Sequence, residues 1–549
     1  MPGLTIALAQ VNPCVGDIAG NAALVRDSVR QAASAGAKLV ALPEMVMTGY
    51  PIEDLALRES FQRAAERAVL DLAEGLEADG LGDIAVIVGT LGVSKSGRPF
   101  NQAAVLRHGQ VEARYNKHHL PNYGVFDERR IFAQGSDGLV IEVDGRRVGV
   151  VICEDIWQDG GPAADMADAG IDLLVVINGS PFEEGKGRVR TQLARRRAAE
   201  VGAPLAYVNM WGGQDDLVFD GHSFIVAADG EWMANAAGFA DALLTWKLPA
   251  AGKAPTASSV VDFASDDEQV YRAIVTGLRD YVTKNGFTSV VLGVSGGIDS
   301  ALTAAIAADA LGGQNVVGVS MPSTFSSEHS RDDAADLAKR IGADYRVQPI
   351  ASMVDSFQQE LALAGVAEEN LQARVRGVVL MAISNREGHM VIAPGNKSEL
   401  ATGYATIYDA GSIGGFAPLK DVDKSRVWEL ARWRNRLAAA RGEVEPIPVN
   451  SIVKAPSAEL RPGQTDQDSL PAYDLLDEVL DAYVEHAEGR AELLARGFDE
   501  QVVDKVLSLV DRAEWKRRQY PPGPKVTALA FGRDRRLPIT SRWREKVEL

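Results

Sequence analysis

Four short stretches carry side chains able to do chemistry. VVICEDIW, residues 150–157, holds Cys153, one of only two cysteines in the chain, with Glu154 and Asp155 directly after it. Neighbouring negative charge disfavours a thiolate, so this thiol is poorly placed to ionise unaided. An isolated cysteine ending an apolar strand is ordinarily a small buried hydrophobe. Cys153 is not alone in its setting, however. LPEMVMTGYP puts Glu44 at the end of a predicted strand, YNKHHLPNYGVFDE puts Lys117 just after another, and VVICEDIW puts Cys153 after a third. The fourth stretch is GVSGGIDS, residues 293–300. Its glycines stand where backbone must approach a ligand closely, ahead of a helix whose first amides point the same way, a geometry that binds phosphate. The Walker pattern is absent from this loop, and EEGKG near Lys186 has Gly187 where that pattern needs serine or threonine.

The elements that must position these residues alternate along the chain. From residue 4 to 246, short β-rich runs (LTIALAQ, KLVALPE, IAVIVGT, RRVGVVICED, DLLVVIN, PLAYVN, HSFIVAA) interleave with helical stretches at 22–35 and 187–201, which reads as a layered α/β domain. Periodicity then gives way to Pro, Ala, Ser, Gly and Thr at 248–262, the composition of a connector. Domains are therefore expected at 1–247 and 263–549. The second opens with an amphipathic helix predicted at 268–284, then the strand TSVVLGV, the glycine turn, and a helix beginning near Asp299. Strands at 315–321 and 389–394 extend this into a doubly wound, Rossmann-like fold with a parallel sheet. Residues 442–469 are rich in Pro, Ser and Asp and are expected to form a long loop.

At 549 residues the chain exceeds one hydrophobic core. A net charge of −18 argues against general affinity for nucleic acid or anionic membrane, so an anionic ligand must be met by local cations. The apolar runs are shorter than the roughly 20 residues that span a bilayer. Two distant cysteines and an N-terminus without the layout of a secretory signal point to a reduced, cytoplasmic setting. His118 and His119 are adjacent and no H-E-x-x-H occurs, so zinc is not expected.

Glu44, Lys117 and Cys153, in that order and each with its flanks, resemble the nitrilase superfamily of carbon–nitrogen hydrolases over most of residues 4–245. The resemblance implies a four-layer α-β-β-α sandwich with the three residues meeting at strand ends. It implies a cysteine nucleophile, a carboxylate that takes and returns the proton, and a cation for the oxyanion, and these roles fall to Cys153, Glu44 and Lys117. Glu128 matches a second acid of that superfamily that orients the lysine or the base. By the same resemblance to glutamine-using members, Tyr123, Ser180 and Lys186 would contact glutamine.

The loop SGGIDS resembles that of the adenine-nucleotide α-hydrolase-like enzymes, which split ATP between its α and β phosphates. The resemblance implies that Gly293, Val294, Ser295, Gly296, Gly297, Ile298, Asp299 and Ser300 bind ATP and its leaving pyrophosphate. ENLQARVRG, GNKSELATGY, GGFAPLKDVDKSRVWELARW and EWKRRQYPPGPKV resemble NAD synthetases, which activate the nicotinate carboxylate of the deamido dinucleotide. Asn370, Glu399 and Lys516 would then bind that dinucleotide, and Asp299 and Glu399 would hold Mg2+. Pro394 stands where the family commonly has threonine, and it offers neither hydroxyl nor N–H. Together the two resemblances imply glutamine-dependent NAD synthesis by a homo-oligomer. The rivals are a glutamine-fed ligase with another acceptor, and a non-catalytic nucleotide sensor.

Overall fold

The computed structural model describes residues 3–93, 97–250, 253–258 and 260–545. These fall into two compact units, one of the chain up to Gln214 with Val218–Ala264, the other of Asp215–Leu217 and the chain from Ser265 onward. Of the expected connector 248–262, residues 251, 252 and 259 lie outside the described residues.

The strands of the first unit run β1 (Leu4–Gln10), β2 (Leu39–Ala41), β3 (Ala85–Gly92), β4 (Phe100–Arg107), β5 (Gln110–Asn116), β6 (Leu139–Val143) and β7 (Arg146–Ile152). They continue with β8 (Leu173–Asn178), β9 (Leu205–Asn209), a ribbon of β10 (Trp211–Gln214) and β11 (Leu217–Asp220), β12 (Phe224–Val226), β13 (Trp232–Asn235) and β14 (Ala242–Leu248). Two six-stranded sheets result, ordered β14-β1-β2-β3-β4-β5 and β13-β12-β9-β8-β7-β6. β1, β2 and β3 are mutually parallel, as are β7, β8 and β9.

Alternation along the strands builds the layers, because successive side chains point to opposite faces. Leu4, Ile6 and Leu8 of β1 share one buried cluster with Val148, Val150 and Leu174 of the second sheet. Ala7 and Ala9 instead join Val25 and Val29 of α1 (Ile18–Ser34) and Val69 and Leu72 of α2 (Glu59–Ala78). After the short α3 (Glu128–Ile131), α4 (Gly161–Ala169) and α5 (Lys186–Val201) contribute Met166, Leu193 and Ala198 to the second sheet's cluster. The result is the expected α-β-β-α sandwich.

β5 is the strand expected just before Lys117, whereas β4, β6, β10, β11, β13 and β14 lie outside the set of strands read from sequence. β10 explains why: its four residues, Trp211–Gln214, include two glycines and carry no β-rich run. The connector also behaves differently from its composition. Asn235 exchanges two hydrogen bonds with Val261, at 2.7 and 2.6 Å, and Trp246 Nε1 donates to Thr256 O at 3.0 Å, so this stretch is held against β13 and β14.

The second unit begins with α6 (Asp266–Lys284), whose N-cap Ser265 accepts from Glu268 N, with three acids in the first turn. β15 (Val290–Gly293), α7 (Ile298–Leu311), β16 (Val316–Ser320), α8 (Glu328–Ile341), β17 (Asp344–Val347), α9 (Ala351–Leu361), α10 (Val366–Glu387) and β18 (Met390–Val391) follow. All three strand pairs are parallel, in the order β17-β16-β15-β18. The order reverses between β15 and β18, the place where open α/β sheets bind ligands at the strands' carboxyl ends. Beyond the sheet, α11 (Lys397–Thr402) and α12 (Lys424–Ala440) precede a helical cluster centred on Leu476, Val503 and Val506. The expected loop 442–469 contains a short α-helix, Val449–Val453, and a 3-10 turn, Asp466–Asp468. Among the described residues no helix is long and apolar enough to cross a membrane.

Candidate active sites

In the first unit three side chains converge from strand ends. Glu44 follows β2, Lys117 follows β5 and Cys153 follows β7; they are 0, 1 and 5 % exposed. Lys117 Nζ lies 2.7 Å from Glu44 Oε1 and 2.9 Å from Glu128 Oε2. Each carboxylate is further held. Glu44 Oε1 accepts from Asn101 Nδ2 at 2.7 Å and its Oε2 from the backbone N–H of Gly179 at 2.7 Å. Glu128 Oε1 accepts from Tyr50 Oη at 3.0 Å and from Asn101 at 3.2 Å. Buried charges persist only when paired in this way.

Charge placement decides the resting protonation states. Burial pushes the Cys153 thiol well up, Glu44 adds to that, and Lys117 opposes it. Burial alone would lower Lys117, but Glu128 and Glu44 hold its ammonium well above the ordinary range. Burial also raises Glu128 to about 7 against the pull of Lys117. The site thus holds a neutral thiol beside a fixed cation.

Cys153 has φ +44°, a left-handed conformation that an L-residue seldom adopts and that turns its side chain out of the strand line. Cys153 opens a single 3-10 turn, Cys153–Ile156. The two acids have separate partners. Glu154 Oε2 accepts from Tyr123 Oη at 2.9 Å, and Asp155 is buried under four donors.

A cavity of about 380 Å³ opens on Cys153 and is lined also by Tyr123, Phe126, Glu154, Trp157, Ser180 and Lys186. All three residues expected to contact glutamine are therefore in one cavity with the sulfur. Ser180 is fixed by a residue that sequence reading missed. Arg190, 2 % exposed, donates from Nε to Ser180 Oγ at 3.1 Å and pairs through Nη1 with both oxygens of Asp220 at 2.7 and 2.8 Å. Asn209 clasps the Ser180 backbone from the other side, accepting from its N–H and donating to its carbonyl.

In the second unit the glycine loop follows β15 and opens α7. Ser300 Oγ accepts from Ser295 N at 3.2 Å and donates to Gly297 O at 3.0 Å, and Ser295 Oγ accepts from Gly297 N at 3.2 Å. Gly296 has φ +77°, and a β-carbon there would lie 2.4 Å from Ser330 O. At Gly297 the nearest atom to such a carbon is Ser295 Oγ, at 3.3 Å.

The stretch GNKSEL folds as an N-terminal capping box, Asn396 accepting from Glu399 N and Glu399 from Asn396 N. That box turns the Asn396 amide toward Asp299 Oδ1, 2.9 Å away. Lys424, at the start of α12, donates to Asp299 Oδ2 at 2.5 Å and lies 3.4 Å from Glu399 Oε1. Burial raises Glu399 to about 7, opposed first by Lys424. The donor set suits magnesium, which is commonly held by one or two carboxylates completed by phosphate and water oxygens.

A cavity of about 290 Å³ is lined by Gly293, Val294, Ser295, Gly297, Ile298, Asp299 and Ser300, with Pro394, Glu399, Lys424 and Asp466. Asn370 and Lys516 lie outside its described lining. Asn370 Oδ1 accepts from Thr406 Oγ1 at 2.6 Å, and Lys516 Nζ donates to the carbonyls of Gly403 and Ala405 at 2.7 and 2.9 Å. Both thus meet segment 403–406, of which Tyr404 and Ala405 face the cavity. Lys424 was missed although its stretch, GGFAPLKDVDKSRV, stands out in the sequence. A lysine next to aspartate in sequence does not disclose which distant carboxylate it reaches.

Comparison with known proteins matches residues 5–256 to the carbon-nitrogen hydrolase family and 270–520 to the NAD synthase family. The chain is 46 % identical over 555 residues to the glutamine-dependent NAD(+) synthetase of Rhodobacter capsulatus, covering 98 % of this chain and 99 % of that protein. It is 44 % identical over 550 residues to that of Acinetobacter baylyi, covering 99 % of each. The solved glutamine-dependent NAD+ synthetase of Acinetobacter baumannii in complex with adenosine diphosphate is 41 % identical with a TM-score of 0.78, covering 99 % of this chain and 100 % of that one.

Proposed function

The chain belongs to the glutamine-dependent NAD(+) synthetases, and from that premise we propose how its two units divide the reaction. Residues 1–247 release ammonia from glutamine, residues 263–549 spend ATP to accept it, and 248–262 join them. The observation that carries this reading is that each unit has its own cavity with its own chemistry: Cys153 beside Tyr123, Ser180 and Lys186 in one, the SGGIDS loop beside Asp299, Glu399 and Lys424 in the other.

In the first cavity Lys186 meets the α-carboxylate of glutamine and Ser180 and Tyr123 hold it. Glu44 takes the thiol proton as the Cys153 sulfur attacks the amide carbon, and the Lys117 ammonium stabilises the oxyanion. The carbon–nitrogen bond breaks, the nitrogen takes the proton from Glu44, and ammonia leaves. Water then gives a proton to Glu44, attacks the thioester, and breaks the carbon–sulfur bond to release glutamate and the thiol. Glu128 keeps Lys117 in place and balances its charge.

In the second cavity the nicotinate carboxylate of the deamido dinucleotide attacks the α-phosphorus of ATP, and pyrophosphate leaves against the amides of residues 293–300. Ammonia attacks the acyl carbon, AMP leaves, and NAD is formed. Lys424 stands where it can follow the phosphates, and Asn370 and Lys516 set segment 403–406 toward the dinucleotide. Asp299 and Glu399 would hold Mg2+, which when bound supplies positive charge to the phosphate oxygens.

We place the enzyme in a reducing cytoplasm, a reading supported by the free thiols Cys14 and Cys153. A homo-oligomer belongs to the same proposal, with Phe357 and Leu361, exposed one turn apart on α9, as apolar side chains that a second copy would cover.

The test offers the purified chain ATP and the deamido dinucleotide with either glutamine or ammonium. Cys153→Ala is expected to lose glutamine-driven synthesis and keep ammonium-driven synthesis, whereas Asp299→Ala loses both while retaining glutamine hydrolysis. Loss of ammonium-driven synthesis in Cys153→Ala, or normal synthesis in Asp299→Ala, would overturn the division.

A further inference from the structure

Asp155 sits two residues beyond the nucleophile and is fully buried, yet none of the steps above uses it. Its Oδ2 accepts from Tyr115 Oη at 2.6 Å and from Ile152 N at 3.0 Å. Its Oδ1 accepts from the backbone N–H groups of His118 at 3.1 Å and His119 at 2.8 Å. These donors are not scattered. Tyr115, His118 and His119 bracket Lys117 on both sides, and Ile152 immediately precedes Cys153. One carboxylate therefore joins the end of β5, in the first sheet, to the end of β7, in the second.

The geometry points to Asp155 as a positioning residue for glutamine hydrolysis, fixing the Lys117 ammonium relative to the left-handed turn that presents the Cys153 sulfur. The inference rests on the thiol chemistry proposed above. Four features support it. The group touches only the two chemistry-bearing segments and Tyr115. It uses both oxygens, each with two donors, so its acceptor capacity is matched to this bridge. The turn it stabilises carries a strained φ at Cys153, and such backbone persists only where its surroundings fix it. Finally, displacement of a catalytic group by about 1 Å costs on the order of a hundredfold in rate.

Asparagine is the sharp replacement because it keeps the shape but presents an N–H2 to two of the four donors. In the full chain, Asp155→Asn is expected to lower kcat for glutamine hydrolysis about a hundredfold with the glutamine KM changed less than about threefold, and to leave ammonium-driven NAD synthesis as in the parent. Tyr115→Phe removes a single hydrogen bond without changing shape and is expected to lower the same kcat about tenfold, again with KM held. A rise in KM at unchanged kcat, or parent-like kcat in both variants, overturns the inference while the parent's glutaminase activity upholds the thiol chemistry. Should Asp155→Asn also lose ammonium-driven synthesis, Tyr115→Phe decides: a selective fall in kcat supports positioning, and no fall overturns it. A parent chain unable to hydrolyse glutamine removes the thiol chemistry, and the inference with it.

Discussion

The two cavities solve the problem of handling charge by opposite means. The thiol site is made of side chains, Glu44, Lys117 and Cys153 delivered by separate strand ends and Glu128 by the start of α3, with Lys117 paired to the two carboxylates at 2.7 and 2.9 Å. The phosphate site is made first of backbone, one loop and the start of one helix, and its side chains Asp299 and Glu399 share the single ammonium of Lys424. Preorganised side chains stabilise charge that develops during reaction, while a backbone cradle recognises charge that arrives already formed. The first site should therefore be sensitive to what a side chain carries, and the second to whether a β-carbon is present at all.

Replacing the shared cation gives the largest effect. Lys117→Met is expected to reduce glutamine hydrolysis on the order of a thousandfold and to lower thermal stability, because Glu44 and Glu128 are left buried without their counter-ion. Steady-state kinetics and a melting curve read the two consequences, and a variant retaining full glutaminase activity would break the comparison on the side-chain half. The backbone half is tested by a pair. Gly296→Ala meets both a left-handed φ and a carbonyl at 2.4 Å, and should reduce synthesis from either nitrogen source about a hundredfold. Gly297→Ala faces only a side-chain hydroxyl at 3.3 Å and should change the rate less than about threefold. Parent-like rates in both variants would show that the loop does not work through close backbone approach.

Two smaller effects sharpen the electrostatics of the thiol site. Because burial and Glu44 hold the Cys153 thiol protonated, its alkylation by iodoacetamide should be slow at pH 7 and accelerate up to about tenfold per pH unit through pH 9. A pH-independent rate would mean that a thiolate is already present. Arg190→Lys keeps the charge beside Asp220 but loses the fork that orders Ser180, so the glutamine KM should rise about fivefold with kcat little changed. An unaltered KM would separate Ser180 from glutamine recognition.

How much of this was legible in the sequence follows the same divide. The loop SGGIDS was readable because a backbone cradle is local: eight consecutive residues specify it, and α7 begins at Ile298, one residue before the expected Asp299. The helices α5 and α6 also match their predicted spans within two residues, since apolar periodicity is local too. Glu44, Lys117 and Cys153 were readable only through family resemblance, because nothing in their own neighbourhoods announces that three strand ends meet. Asn101, Tyr50, Gly179 and Asp155 were not found at all. Their partners lie far along the chain, up to 135 residues apart for Gly179 and Glu44, and a lone amide or tyrosine in an apolar run looks the same whether or not it reaches a catalytic group. Lys424 escaped for the same reason, its two carboxylate partners lying 125 and 25 residues away.

One position in β3 sets a limit on the whole thiol site. Where the chain carrying Glu44 leaves β2 and passes β3, a β-carbon at Gly89 would stand 2.1 Å from Met45 N and 2.5 Å from the carbonyl carbon of Glu44. A hydrogen atom is all that fits between the two backbones. Gly89 therefore acts as a spacer of minimum thickness, and the depth to which the carboxylate is sunk is gauged by the absence of a methyl group on a neighbouring strand. Any thicker spacer would lift Glu44 bodily, changing the reach of every bond it makes at once, although residue 89 itself meets neither the sulfur nor glutamine.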